Sequence, residues 1–289
     1  MSKSAFQNKF LPYILLTPTF SILIIFLFYP AYETFRLSFY KVNPFSGAAR
    51  FAGFYNFQKI FSNPVYLKSF ARSAVFALGV VIVGLIISLL LALLLNQKVK
   101  GASVYRSLLI WPYALSPAIA GALFNFLFNP ANGLAIYFTG VRTWLTDSNL
   151  ALFIIILAAT WKNLGYNVVF YLTSLRNIPK DSLEAAELDG AGPIKRFFSI
   201  TFTFLSPTTF FLLVMNTIYA YFASFGLIDV LTEGGPANAT NILIYQLYKD
   251  FFVNSRIGYA AAESLMLFML VVLLTIIQCK TTEKKVFYQ

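Results

Sequence analysis

No histidine occurs in the 289 residues, and cysteine occurs once, as Cys279. A disulfide framework or a zinc cluster needs several such ligands, so neither is expected and no metal site is assigned. No G-x-x-x-x-G-K-[ST] string is present to cradle a nucleotide phosphate, so the chain is not expected to hydrolyse ATP by itself. Acids are scarce: 11 Asp plus Glu stand against 22 Lys plus Arg. Five of them, Asp181, Glu184, Glu187, Asp189 and Glu283, crowd into one loop and the tail. Too few remain for a convergent acid–base centre, and no catalytic residue is assigned. Charged residues make up only 11% of the chain, whereas a soluble domain carries about a quarter.

What fills the chain is apolar. Hydrophobic residues reach 58% and mean hydropathy is +0.71, a composition for lipid. Runs long enough to cross about 30 Å of hydrocarbon as helices fall near 11–32, 71–95, 105–128, 150–175, 202–229 and 259–279. Stretches such as Val80 to Leu95 lack the alternation of a membrane strand, which excludes a barrel. The expected fold class is all-α, a polytopic membrane protein with six transmembrane helices and both termini on one side. The first run starts basic but lacks a small-x-small cleavage site and contains Pro12, Pro18 and Pro30, so it reads as a retained span.

Net charge +11 does not point to nucleic acid, because no basic run reaches five residues; anionic lipid headgroups are the simpler partner. Lys3, Lys9, Lys98, Lys100, Arg106, Arg176, Lys180, Lys195, Arg196, Lys280, Lys284 and Lys285 cluster at one set of span ends. The opposite segments hold fewer per residue: Arg36, Lys41, Arg50, Lys59, Lys68, Arg72, Arg142, Lys249 and Arg256. By the positive-inside rule the termini and the loop holding Glu184 face the cytoplasm. The chain divides near residue 70. Residues 1–70 hold the first span and an outer segment with turn-forming Asn43-Pro44, Ser46-Gly47, Asn56 and Asn63-Pro64, and 71–285 hold the other five spans. No internal half-repeat or paired broken helix is visible, which disfavours a gradient-driven secondary transporter.

Between the fourth and fifth spans lies Glu184-Ala185-Ala186-Glu187-Leu188-Asp189-Gly190-Ala191-Gly192-Pro193. Asp181 and Glu184 are spaced as a capping box, and Gly190 with Gly192-Pro193 supplies the stop. The predicted short helix sets Ala185, Ala186 and Leu188 beside carboxylates, a surface fit to press on another protein. The string Glu184-Ala185-Ala186, three residues, Gly190, nine residues, Ile200 resembles the cytoplasmic coupling loop of the permease subunits of binding-protein-dependent ABC importers. This chain reads Ile200-Thr201-Phe202-Thr203 where that family usually continues Ile-x-Leu-Pro, and Pro207 is the nearest source of a bend. Any interhelical loop can hold Glu and Ala at helical spacing; the Gly190 and Ile200 offsets also match.

The resemblance implies a type I importer permease fold with a coupling loop at about 178–200, contacting the ATPase through Glu184, Ala185, Ala186, Asp189 and Gly190. It implies four kinds of partner: a second related permease, an ATPase dimer, an external solute-binding protein and membrane lipid. ATP and Mg are bound by the ATPase, with no cofactor in this chain, and the location is the bacterial inner membrane. Leu11-Pro12-Tyr13, Phe54-x-Asn56-Phe57, Trp111-Pro112-Tyr113-Ala114-x-Ser116-Pro117-Ala118, Phe128-Asn129-Pro130-x-x-Gly133, Gly234-Gly235-Pro236 and the tail Lys285-Val286-x-Tyr288-Gln289 are similar to the carbohydrate-type branch, in particular its glycerol-3-phosphate importers. Near relatives carry neutral sugars or oligosaccharides, so that cargo stays open. Gly234, Gly235 and Pro236 are expected to shape an outer loop at the binding protein.

A solute path needs polar groups facing a cavity, since polar side chains facing lipid are penalised. The fourth span offers Lys162, Asn163, Tyr166 and Asn167, with Asn163 and Asn167 on one face and Tyr166 one turn beyond Lys162. Lys162 sits mid-span, where a lysine costs about 2.5–3.5 kcal/mol, so it either meets an anionic solute or water, or pairs with an acid or helix carbonyls of the partner permease. Asn216, Tyr219 and Ser224 of the fifth span and Glu263 and Ser264 of the sixth either line the path or bond between helices.

Overall fold

The computed structural model describes residues 10–97 and 101–282. Lys3, Lys9, Lys98, Lys100, Glu283, Lys284, Lys285 and the tail string lie outside the described residues. Helix α1 spans Leu11–Ser38, followed by strands β1 (Tyr40–Val42) and β2 (Ala49–Phe51) and helix α2 (Tyr55–Phe61). Then come α3 (Pro64–Asn96), α4 (Ala102–Ala114), α5 (Pro117–Phe128), α6 (Leu134–Thr139), α7 (Ser148–Arg176) and α8 (Lys180–Leu188). The long α9 covers Pro193–Ala223, and α10 (Phe225–Leu231), α11 (Leu243–Tyr248) and α12 (Ile257–Thr282) complete the described chain.

Among the described residues five helices are long and apolar enough to cross a membrane, and six spans result when the bent pair α4 and α5 counts as one. The expected third span at 105–128 is therefore not one rod: its halves meet at 104°. The cause is local. Pro117 pushes Ser116 into the extended region (ψ 153°) and starts the next helix at its first position. The Ser116 hydroxyl then caps that helix by accepting from the Ile119 N–H at 3.2 Å. A broken span thus exists where none was expected, but it is a single one among the described residues. The expected fifth span at 202–229 is also corrected: α9 begins earlier and ends at Ala223, and 225–231 form a separate helix after Ser224.

Three π-helical turns interrupt the long rods, at Ile24–Phe28, Phe197–Thr201 and Tyr219–Ala223. Pro207 lies inside α9, where it withholds a hydrogen bond from the carbonyl of Thr203. The Ser206 hydroxyl donates to that carbonyl at 2.7 Å, so the gap is repaired without exposing a backbone group to lipid.

The chain forms two compact units: residues up to Ser62 with Leu247–Met266, and Asn63–Gln246 with the residues from Leu267 onward. In the first, α1 buries none of its most apolar window, as a helix facing lipid can. The β1–β2 hairpin pairs Tyr40 with Phe51 and Val42 with Ala49. Asn56, expected in a turn, lies instead within α2, its amide buried and donating to the Ser38 and Tyr40 carbonyls at 2.8 and 3.0 Å. Gly258 meets the Tyr40 carbonyl so closely that a Cβ has no room.

In the second unit α3 and α7 pack along one another. Ser73, Ala77, Gly84, Ser88 and Ala92 are buried on α3, and Ala151, Ile155, Ala158 and Ala159 on α7. Small residues let two backbones approach, which is how helices gain packing energy where lipid tails remove the hydrophobic incentive. The core continues through Val168, Tyr171, Leu172, Leu175, Leu205 and Leu212. The segment before α11 is tied down as well, the Leu243 N–H donating to the buried Ser73 hydroxyl at 2.7 Å.

Candidate functional site

Most functional candidates lie in two regions: the polar elbow between α7 and α9, and the polar face of α7. The elbow is the short helix α8, and none of its nine residues is buried. Leu188 is 89% exposed, the highest value for an aliphatic residue of the elbow, and Ile194 follows at 74%. The expected capping box does not form. Pro179 takes the N-cap position and offers no side-chain acceptor, and the helix starts at Lys180, which leaves Asp181 in the first turn. There its carboxylate acts only through the partial positive charge of the helix start.

The C-terminal end behaves as the sequence suggests. Gly190 has φ +76°, the Gly190 N–H donates to the Glu187 carbonyl at 3.1 Å and the Ala191 N–H to the Ala186 carbonyl at 2.9 Å. This double bond pattern is a Schellman motif, closed by a glycine that tolerates the left-handed region. Across the turn Glu187 accepts from Arg196 at 2.6 Å, so the two ends of the elbow are joined. Glu187 is thereby engaged within the loop, while no ion pair holds Glu184 or Asp189 among the described residues. The missing Leu-Pro after Ile200 coincides with the π turn Phe197–Thr201.

In α7 the side chains of Lys162, Asn163 and Asn167 are buried, and Tyr166 is half-buried. Asn167 and Asn216 form a reciprocal amide pair between α7 and α9, Nδ2 of Asn216 donating to Oδ1 of Asn167 at 2.8 Å and the return bond measuring 3.3 Å. Asn216 also donates to the Leu212 carbonyl at 2.8 Å. These two path candidates thus bind one another. Asn216→Ala should lower the unfolding midpoint of the detergent-solubilised protein, because Asn167 loses its buried partner, at a cost of about 1–2 kcal/mol. Replacing both by leucine should cost less than the sum of the single changes, and strict additivity would mean that the pair is not formed.

Lys162 is 6% exposed, and among the described residues no carboxylate pairs with it. Its Nζ lies 5.2 Å from the ring centre of Tyr113 and 5.7 Å from that of Tyr219, within cation–π range. Tyr113 stacks on Tyr166 at 5.1 Å, and Tyr166 packs on Phe170 at 4.8 Å. Three elements therefore converge on the ammonium: the last turn of α4 just before the bend, the middle of α7, and the π turn of α9 that begins at Tyr219.

Gly165 explains how they come so close. A Cβ there would collide with the Leu109 carbonyl oxygen and stand 2.7 Å from Ile110 Cα. The backbone of α4 rests directly on α7 at this point, and Tyr113, one turn beyond Leu109, is carried to the lysine. In the sequence Tyr113 is one residue of the Trp111-Pro112-Tyr113 string and Gly165 an ordinary glycine beside Tyr166. No local pattern joins residues so far apart in the chain; the mid-span Lys162 is the one signal in the sequence that marks the place.

Of the other candidates, Ser224 bonds to the Ala220 carbonyl of its own helix at 2.8 Å. Glu263 is buried on α12, with the carboxyl group of Asp250 beside it. Gly234 is buried with φ +76°, and a Cβ there would stand 2.6 Å from the Tyr245 ring. Gly235 and Pro236 are half-buried, and Glu233, Ala237 and Asn238 are the exposed residues of that turn. Glycine is thus demanded at 234 by packing and by backbone sign together.

Residues 84–279 match the family described as binding-protein-dependent transport system inner membrane component. The chain is 41% identical over 292 aligned positions to the sn-glycerol-3-phosphate transport system permease protein UgpA of Pectobacterium atrosepticum, with 100% of this chain and 99% of that protein covered. It is 42% identical to the protein of the same name from Rhizobium meliloti, both chains being covered completely. Among solved structures it is similar to a chain of a bacterial ABC transporter that imports the acidic polysaccharide alginate, with TM-score 0.81, 21% identity and coverage of 95% and 96%. The same likeness, TM-score 0.81, holds for the alginate transporter in complex with its pentasaccharide-bound periplasmic protein.

Proposed function

The chain belongs to the family of binding-protein-dependent transport system inner membrane components, and from that premise we propose that it forms half of the path by which an ATP-driven importer moves sn-glycerol-3-phosphate across the inner membrane. It is a multi-pass permease subunit with the fold of ABC importer permeases. The single observation that carries the motor-driven reading is the elbow helix Lys180–Leu188, which buries none of its residues while joining two membrane spans. A helix with that much bare apolar surface at its end serves as a foot for another protein.

In this reading the foot stands in a cleft of an ATPase subunit, with the elbow and both termini facing the cytoplasm. Leu188, Ala185 and Ala186 supply apolar contact, Glu184 and Asp189 supply charge, and Gly190 closes the helix sharply enough to leave it short. A second related permease completes the pore, two ATPase subunits bind ATP and Mg, and an external binding protein delivers the solute near the Gly234-Gly235-Pro236 turn. When the ATPases close on ATP their two feet are drawn together, and the rigid rods α7 and α9 transmit that motion, opening the path outward. Hydrolysis reverses it, and the solute crosses unaltered. Residues 1–70 and 71–285 act as anchor and transport module, with the coupling loop at about 178–200. Of the path candidates, Lys162, Asn163 and Tyr166 face the solute, and Asn167 and Asn216 hold α7 to α9 beside it.

Reconstitution in proteoliposomes tests this reading. Uptake of labelled glycerol-3-phosphate should need ATP and cease with an ATPase partner that cannot hydrolyse it; uptake that persists would instead mean a gradient-driven carrier. The solute that co-purifies with the cognate external protein decides between a phosphate ester and a neutral sugar.

A further inference from the structure

We propose that Lys162 and the hydroxyl of Tyr219 form a phosphate-recognition pair inside the permease, so that the membrane path itself selects an anionic cargo; the inference rests on the glycerol-3-phosphate reading above. Lys162 is buried in α7 without a carboxylate partner among the described residues. The Tyr219 hydroxyl is also buried and has no hydrogen-bond partner among them. The ammonium lies against the Tyr219 ring, 5.7 Å from its centre, so the two unsatisfied groups belong to one place.

The ring faces of Tyr113 and Tyr219 offset part of the lysine's desolvation, but a π face accepts none of its three N–H donors in full. The tyrosine hydroxyl adds a donor. Two donor groups left without acceptors, one of them charged, call for a ligand rich in acceptors and negative in charge. A phosphate monoester has both properties and forms charge-assisted bonds. A neutral polyol would satisfy the hydroxyl and leave the ammonium uncompensated.

The surrounding structure holds the pair in place. Gly165 seats α4 against α7 and so delivers Tyr113, and Tyr113 is braced in turn by Tyr166. Tyr219 opens the π turn Tyr219–Ala223, a helix irregularity that shifts the direction of a side chain and often marks a working site. Asn167 and Asn216 fix α7 to α9 on one side of it. Tyr113, Lys162 and Tyr219 sit on three different elements, so a change in the α4 bend or in α9 would alter the grip on the anion.

The test uses the full complex with Lys162→Met, Lys162→Arg and Tyr219→Phe, and reads uptake of labelled glycerol-3-phosphate, basal ATP hydrolysis and recovery of assembled complex. Lys162→Met should lower uptake by about 10- to 100-fold, the loss of a charged hydrogen-bond donor, while basal hydrolysis and recovery persist. Lys162→Arg should restore most of it, and Tyr219→Phe should cost about 5-fold. A second readout needs no uptake: millimolar glycerol-3-phosphate or inorganic phosphate, and not glycerol, should raise the melting temperature of the wild-type complex, and Lys162→Met should abolish that shift.

Wild-type uptake in Lys162→Met, or an equal melting shift in it, overturns the pair. So does loss of assembled complex in Lys162→Met with normal uptake in Tyr219→Phe, since the lysine would then be pairing with a carboxylate of the partner permease. If the wild-type complex imports no glycerol-3-phosphate but keeps the phosphate-dependent shift, the cargo reading fails and the anion site stands. Absence of that shift in the wild type removes the site.

Discussion

Gly165→Leu should leave almost no assembled permease. The reason is that the three nearest neighbours cannot yield: the Cβ of a larger residue meets the Leu109 carbonyl oxygen, Ile110 Cα and the Leu109 carbonyl carbon, all backbone atoms of a helix. Side chains can rotate away; a helix must move as a body. Overpacking typically costs about 1–3 kcal/mol and more when nothing can yield, and here the displaced helix also carries Tyr113 away from Lys162. Even alanine should be poorly tolerated. Gly84→Ala is the matched control, because its Cβ meets only ordinary contacts, Asn167 Nδ2 at 3.8 Å and Thr160 Cγ2 at 3.9 Å. Fluorescence-detected size-exclusion of the two variants reads the difference, and a normal profile for Gly165→Leu would mean that α4 and α7 do not cross there.

Leu188→Arg should do the opposite, sparing the fold and stopping transport. Leu188 is 89% exposed, so its replacement removes little packing from the chain itself, and surface changes of this kind stay within about 0.5 kcal/mol. If α8 is the foot that stands in an ATPase cleft, an arginine must be desolvated beside small apolar contacts, and buried hot-spot contacts of this sort are worth about 2–4 kcal/mol. Uptake in proteoliposomes should then fall by about 30-fold or more, with the permease still pairing with its partner subunit and losing the ATPase on size-exclusion. Uptake at the wild-type rate with full ATPase retention would sink the assignment of α8. Glu187→Ala should be much milder, since Glu187 already faces Arg196 within the loop and exposed ion pairs contribute about 0–1 kcal/mol.

Much of this architecture is legible in the residues because lipid imposes a simple rule: twenty or so apolar residues without charge become a helix. The run from residue 150 to 175 corresponds to α7 at Ser148–Arg176, and 259–279 to α12 at Ile257–Thr282. The rule says nothing about breaks inside a run. Ser116-Pro117 carries a legible signal, a capping serine before a first-turn proline, but hydropathy is blind to it and the 105–128 run hides a 104° bend. The capping box failed for a related reason, since Pro179 had already set the helix start one residue before Asp181. The β1–β2 hairpin is too short to show an alternating pattern.

The sequence by itself determined that this chain lives in a bilayer, where its long apolar runs lie, and that a polar elbow holding Glu184 separates the fourth span from the fifth. Those features depend on composition and on neighbours within a few residues, where transfer energy and helix geometry act locally. Only the tertiary structure decided what the buried polar groups do: that Asn167 and Asn216 bind each other, while Lys162 rests between Tyr113 and Tyr219 with no carboxylate paired to it among the described residues. The physical reason is that a buried donor takes its meaning from whatever acceptor packing brings within about 3 Å, and residues on three separate helices share no periodicity from which that meeting could be read.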